Sequence, residues 1–251
     1  MYIELTSAAN EKVKAAKKAV ADGRGSGLML IEGKKPVTDA FKNGVTPYML
    51  FSSEKTETTD KMADAFDVFL VPPYIMEKIC DTRTPQSLCM LAKRPAHGGS
   101  LKDGRYLLCE SLQDPKNLGA VVRTADALGM SGVILSGSSA DPYSPKATRG
   151  AMGSNLYLPV YELGLKDIAS LKSRFKIFGA VLDEKARPID ETDLSGNIIV
   201  AVGNEGAGLT PELIALCDGT IYIPMKGRAQ SLNASVAAAL IMWEITKGAK
   251  R

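Results

Sequence analysis

The chain has 251 residues, is 45% hydrophobic, and carries 31 Lys and Arg against 28 Asp and Glu, a net charge of +3. That describes a globular protein of one large or two ordinary domains with a real core, and the small charge excess permits contact with nucleic acid without arguing for it. Four widely spaced cysteines (Cys80, Cys89, Cys109 and Cys217), no C-x-x-C and a single histidine speak against a zinc site or a disulfide framework, and fit a reducing cytoplasm.

The opening MYIELTSAANEKVKAAKKAV turns charged at once and lacks a secretory apolar core, and the longest apolar run, Val236 to Trp243, is far shorter than a membrane span. In chain order, the lysine-rich first helix is expected to be capped by Ser7 and to end near Gly23, followed by short strands LMLIE, YMLFS, VFLV and LCMLA alternating with helical segments. The Gly- and Pro-bearing stretch RPAHGGSLKDGR then marks a boundary, with His97 read as a solvated linker histidine. The expected division is a domain over 1–95, a linker over 96–104 and a second domain over 105–251. In that second domain YLLCE, GVILS, IFGAVL and IIVAVG read as strands of a mostly parallel sheet covered on both faces.

Ligands of open α/β sheets bind at the carboxyl ends of strands, so the loops that follow strands are the candidate sites. GNEGAGLT, Gly203 to Thr210, fits the glycine spacing of a P-loop, but Leu209 occupies the lysine position and Glu205 would repel a phosphate. YLLCE is followed by SLQDPKNLGAVV and not by G-x-G-x-x-G, so the ordinary dinucleotide fingerprint is missing as well, while a nucleoside without phosphates stays open as a ligand. In DPKNLGAVVRTADALG, Asn117 is a candidate N-cap ahead of an apolar stripe of Leu118, Val121, Val122, Ala125 and Leu128. Arg123 lies off that stripe, and its plain alternative is a solvated arginine pairing with Asp126. In the last loop Ser231 and Asn233 are both good capping residues, of which one can be the N-cap.

Three motifs in this order, DPKNLGAVVRTADALG, IVAVGNEGAGL and IYIPMKGRAQSLNASVAAAL, resemble the SpoU class of RNA 2′-O-ribose methyltransferases. The upstream RGSGLMLIEGKKPVTDAF looks like the N-terminal RNA-binding extension frequent in that family. The resemblance implies an α/β chain: a small N-terminal RNA-binding domain, then a mostly parallel sheet with a deep trefoil knot of the SPOUT type, an exception to the rule against knots. It also implies S-adenosylmethionine as cofactor, a homodimer, and transfer of a methyl group to a ribose 2′-hydroxyl, with large-subunit ribosomal RNA as the expected substrate. A transfer-RNA enzyme and a non-catalytic RNA-binding relative are the alternatives.

By the same resemblance Leu182, Gly203, Ile223, Met225 and Leu232 hold the adenine and ribose, and Asn117, Arg123, Glu205, Ser231 and Asn233 form the catalytic set. A guanidinium is a poor base, so Arg123 is expected to grip RNA phosphate and stabilise a developing alkoxide. Glu205 is expected to order its loop or Arg123. SPKATRGAMGS, Ser144 to Ser154, is expected as a basic loop near the RNA path, with Lys146 and Arg149, alongside Arg24 of the extension, as RNA contacts.

Overall fold

The computed structural model describes residues 1–96, 100–183 and 185–247. The first elements are β1 (Tyr2–Glu4), α1 (Glu11–Asp22), β2 (Leu28–Glu32), α2 (Lys34–Lys42), β3 (Pro47–Ser52), α3 (Glu57–Ala63), β4 (Val68–Leu70), α4 (Pro73–Ile79) and β5 (Leu88–Lys93). They are followed by β6 (Arg105–Glu110), α5 (Pro115–Ala127), β7 (Gly132–Ser136), α6 (Pro145–Ala151), β8 (Val160–Glu162), α7 (Leu165–Leu171) and β9 (Lys176–Ala180). The chain ends through β10 (Arg187–Pro188), β11 (Ile198–Val202), α8 (Pro211–Leu216), β12 (Gly219–Tyr222) and α9 (Ala234–Thr246). Two compact units result, Met1–Ala96 with Asp141–Leu156, and His97–Ala140 with Tyr157–Arg251. His97 itself lies outside the described residues.

In the first unit the strands order as β1-β4-β3-β5-β2, parallel from β1 to β3 and antiparallel on both sides of β5. Period-two alternation along each strand feeds two cores. Leu30, Phe51 and Leu91 pack on Val13 and Ala16 of α1 and Ile75 and Ile79 of α4, while Met29, Ile31, Leu50 and Met90 pack on Val37 of α2 and Met62 of α3. The expected Ser7 cap is corrected: Asn10 caps α1, its Oδ1 accepting from the Lys12 amide at 2.9 Å, and Ser7 instead closes a turn ahead of it by accepting from the Ala9 amide at 3.1 Å.

The stretch expected as a basic loop is the helix α6, capped by Ser144 with Pro145 at its first position, an arrangement that satisfies helix-start donors and presets φ. Although it follows β7 in sequence, the segment from Asp141 to Leu156 packs with the first unit. Two charged forks hold it there. Arg94 donates to both oxygens of Asp141 at 2.9 and 2.7 Å, and Arg149 donates to Glu32 at 3.2 Å and Asp81 at 2.7 Å. The Glu32 side chain is only 6% exposed, so removing its cation leaves a buried carboxylate with only neutral donors, the Asp81 amide at 2.9 Å and the Thr82 hydroxyl at 2.7 Å.

Arg149→Ala is therefore expected to lower unfolding free energy by on the order of 2 kcal/mol in urea titrations, where a solvated surface arginine would change it by only a few tenths.

The second unit is a parallel sheet ordered β10-β12-β9-β11-β6-β7-β8. Its central strands are buried along their length, as continuous apolar runs require when both faces are covered. One face packs Tyr106, Leu108, Ile134, Ile177 and Ile199 against Ile168 of α7 and Leu213 of α8. On the other lie α5, which buries Leu118, Val121, Val122 and Ala125, and α9, which buries Ala238, Ile241, Met242 and Ile245; the two helices pack on each other. Arg105 donates to the carbonyl of Ile245 at 2.7 Å and so satisfies an orphan acceptor at the end of α9.

The register carries the consequence for function. β11 pairs with β6 from Ile198↔Arg105 to Val202↔Cys109, and with β9 from Ile198↔Lys176 to Ala201↔Gly179. The strands therefore end at one level, and the loops after β9, β11 and β12 leave the sheet side by side.

Candidate cofactor and catalytic site

A cavity of about 360 Å³ opens where these three loops meet, lined by residues 180–182, 202–209, 223, 225 and 231–232, with Ile214 of α8 and the first turns of α9 below. Leu182, Gly203, Ile223, Met225 and Leu232 all belong to its lining. Leu182 is 75% exposed and Met225 38%, although both are large and apolar. Apolar side chains left uncovered around a concavity, with loop peptides between them, suit a flat heterocycle whose faces are covered and whose edge is read by backbone groups. S-adenosylmethionine fits this lining better than a nucleoside triphosphate does.

The β11 exit shows why. A Cβ on Gly203 would come within 2.1 Å of the Gly208 carbonyl carbon, so only glycine lets the loop fold back this closely. Asn204 and Gly208 exchange backbone hydrogen bonds at 3.0 Å each, and the Asn204 Oδ1 accepts from the amides of Gly206 at 2.9 Å and Ala207 at 3.1 Å. In a P-loop those amides would face a phosphate. Here they are turned inward on Asn204.

A directed chain of side-chain bonds runs beside the cavity. Asn117 donates from Nδ2 to Glu205 Oε1 at 3.1 Å, and Asn233 donates from Nδ2 to Asn117 Oδ1 at 3.2 Å. The Asn233 Oδ1 accepts from the Ser235 amide at 2.9 Å, which makes Asn233 the N-cap of α9. The orientations are forced: Ser235 N–H can only donate and an ionised carboxylate can only accept, so each amide has one allowed way round. Asn117 is free for this because the expected cap is corrected here too. Asp114 caps α5, its Oδ1 accepting from the Lys116 amide at 2.8 Å, with Pro115 at the first helical position.

The remaining sequence-derived residues are placed differently. Ser231 lies exposed in the cavity lining. Arg123 is exposed on α5, about 9 Å along the axis from Asn117 at ~1.5 Å per residue, and outside the lining. It has neither a hydrogen bond nor an ion pair among the described residues, so the pairing with Asp126 is not formed. Among the proposed RNA contacts, Lys146 is exposed, Arg24 lies 3.9 Å from Asp141, and the guanidinium of Arg149 is taken up by Glu32 and Asp81. Sequence reasoning missed Glu110, Ser111, Asn204 and Thr210, which frame the β11 loop. The one available signal was an acidic residue ending the apolar run YLLCE.

Cys109, paired with Val202 of the cavity lining, has its thiol pushed up to about 12 by burial, with the charge of Glu205 adding to the effect. Among the described residues no group of His, Cys, Asp and Glu could hold a metal ion, and no helix is long and apolar enough to cross a membrane.

A parallel sheet with a mostly apolar cavity and an amide–carboxylate chain at its carboxyl edge defines an α/β protein built around a nucleoside-like ligand. The chain belongs to the SpoU rRNA Methylase family, whose model matches residues 104–243, and residues 10–90 match the MRM3-like substrate binding domain. It is 33% identical over 248 residues, 96% of this chain and 98% of the relative, to the 23S rRNA (guanosine(2553)-2′-O)-methyltransferase RlmP of Bacillus subtilis. Over 143 residues, 55% of this chain and 57% of the relative, it is 41% identical to the 23S rRNA (guanosine-2′-O-)-methyltransferase RlmB of Acinetobacter baylyi. The AdoMet-bound rRNA methyltransferase from Sinorhizobium meliloti superposes with a TM-score of 0.86 at 27% identity, covering 98% of each chain.

With its folded pKa raised, Cys109 stays protonated through pH 9, where an unfolded thiol is already partly ionised. In native protein it is expected to resist N-ethylmaleimide at pH 8 and to react within minutes once unfolded in denaturant, as mass spectrometry of peptides would show.

Proposed function

We propose that this protein transfers a methyl group from S-adenosylmethionine to a ribose 2′-hydroxyl of large-subunit ribosomal RNA, acting in the cytoplasm where that RNA is found. The observation that carries the reading is the cavity at the meeting of three strand-end loops, with the Asn233–Asn117–Glu205 chain fixed beside it. The family and the 2′-O-methyltransferases of 23S rRNA among its relatives support the substrate class.

When bound, S-adenosylmethionine supplies an electrophilic methyl group on a sulfonium. A ribose hydroxyl that took this methyl would displace the neutral thioether and give up its proton to solvent, so the chain must supply alignment and must stabilise charge developing on the oxygen. Leu182, Ile223, Met225 and Leu232 hold the base, and Gly203 lets the loop backbone approach it. The hydrogen-bonded Asn117, Glu205 and Asn233 fix the first turns of α5 and α9 against the β11 loop, and Ser231 offers a hydroxyl within the lining. Arg123, exposed and without a partner among the described residues, grips an RNA phosphate and stabilises the alkoxide. Lys146 and Arg24 serve RNA binding by the first unit, whereas Arg149 serves its folding.

The dimer belongs to the same reading. Val236, Leu240 and Trp243, exposed to 48%, 46% and 59%, form one apolar stripe on α9 at helical spacing, the kind of surface a second copy covers. The expected trefoil knot is also part of this proposal, supported by the convergence of the chain after β11 and β12 on one cavity.

The test is transfer of labelled methyl groups to 23S ribosomal RNA from cells lacking the gene, followed by mapping of 2′-O-methyl sites. The account expects a single new site, and no transfer to that RNA would overturn it. In single turnover, Arg123→Ala is expected to slow transfer by a factor on the order of a hundred with cofactor binding intact, and Arg123→Lys, which keeps charge but loses the planar fork, to recover little.

A further inference from the structure

Glu110 ends the apolar strand β6, is 4% exposed, and has no cation within ion-pair distance among the described residues. A buried carboxylate with neutral partners is costly unless its bonds are strong and well aimed. Both of its oxygens are used on one residue: Oε2 accepts from the Thr210 amide and Oε1 from the Thr210 hydroxyl, each at 2.7 Å. Thr210 is where the β11 loop ends and α8 begins, and its Oγ1 also accepts from the Leu213 amide at 3.2 Å as the helix cap.

The residue next to Glu110 holds the other end of the same loop. The Ser111 carbonyl accepts from Asn204 Nδ2 at 2.9 Å, and Ser111 sits at φ 55, a left-handed conformation unusual for a residue with a side chain. That conformation is held by its own amide, bonded to the Ser136 carbonyl at 3.0 Å, and by its hydroxyl, which accepts from the Ser138 amide at 3.2 Å. Two consecutive residues at the exit of β6 therefore pin both ends of the segment that forms one wall of the cavity and carries Glu205.

We propose that Glu110 is a positioning residue for methyl transfer: through Thr210 its carboxylate fixes the segment 203–210 as a preformed wall for S-adenosylmethionine. The proposal rests on the reading of the cavity as the cofactor site. A wall already ordered before binding removes the ordering cost that would otherwise weaken affinity. Glu110 touches neither reactant, so its loss acts on cofactor binding and leaves the chemical step to the residues that perform it.

The experiment measures binding of S-adenosylmethionine by calorimetry, KM for cofactor and for ribosomal RNA, kcat at saturation, and melting temperature. The variants are Glu110→Gln, Glu110→Asp and Thr210→Val, with Leu182→Asp at an exposed position of the cavity wall as the control for the site itself. Glu110→Gln is expected to weaken cofactor binding about tenfold, the effect of losing a charged hydrogen bond, with RNA KM and saturated kcat changed less than about twofold. Glu110→Asp, one methylene too short to reach both donors, loses at least as much. Thr210→Val, at an exposed residue that keeps its backbone amide hydrogen bond to Glu110, loses less and remains informative if the Glu110 variants do not fold.

Parent-like cofactor affinity in Thr210→Val and in whichever Glu110 variants fold, with Leu182→Asp impaired, would overturn the positioning role and leave the cavity reading standing. A lower melting temperature with unchanged affinity would do the same. Normal binding in Leu182→Asp would instead overturn the cavity reading.

Discussion

The in-register parallel pairing of β11 between β6 and β9 is the constraint on which the rest of the second unit depends. Because Val202 stands opposite Cys109 and Ala201 opposite Gly179, the strands stop together, and their following loops are delivered to one edge of the sheet. Backbone hydrogen bonding and burial on both faces enforce this alignment, since a slip of one residue would turn buried side chains to the wrong layer. The cavity is the space those loops leave between them, so its shape follows from a register set by the core.

What the loops carry is then a matter of how each peptide group is satisfied. The β11 loop resembles a phosphate cradle in its glycine spacing, but Asn204 consumes its amides and Glu205 adds negative charge, so it presents a closed wall to an uncharged ring. The same Glu205 anchors the chain through Asn117 to Asn233, which joins the starts of α5 and α9 to that wall. Helix caps, loop closure and site geometry are thus made by the same few polar side chains. That economy explains why Asn117 is not a cap: Asp114 satisfies the helix start and leaves the amide of Asn117 for a longer reach.

The parallel strands were legible in the sequence because a strand covered on both faces is a continuous apolar run, as in IIVAV and GVILS. The short β1, β8 and β10 were not, since two or three residues carry no periodicity. Caps were ambiguous wherever two capping types lie close together, as with Ser7 and Asn10 or Asp114 and Asn117, because the choice depends on which turn of the helix meets the core. The residues expected to hold the cofactor do line one cavity, but this came from resemblance to a family and not from periodicity. Bonds between Asn117 and Glu205, separated by 88 positions, and between Glu110 and Thr210, separated by 100, exist only once the sheet has brought their loops together. The placement of the segment from Asp141 to Leu156 in the first unit is of the same kind: the carboxylates of Glu32 and Asp81 that hold Arg149 lie far upstream.

The most direct test of the claim that three strand-end loops form one cofactor site is amide hydrogen exchange with and without S-adenosylmethionine. The account requires peptides covering 181–182, 203–209 and 223–232 to gain protection together at the concentration that saturates binding, with the sheet strands unchanged. Protection confined to one of these loops, or appearing in the first unit with all three unaffected, would contradict it.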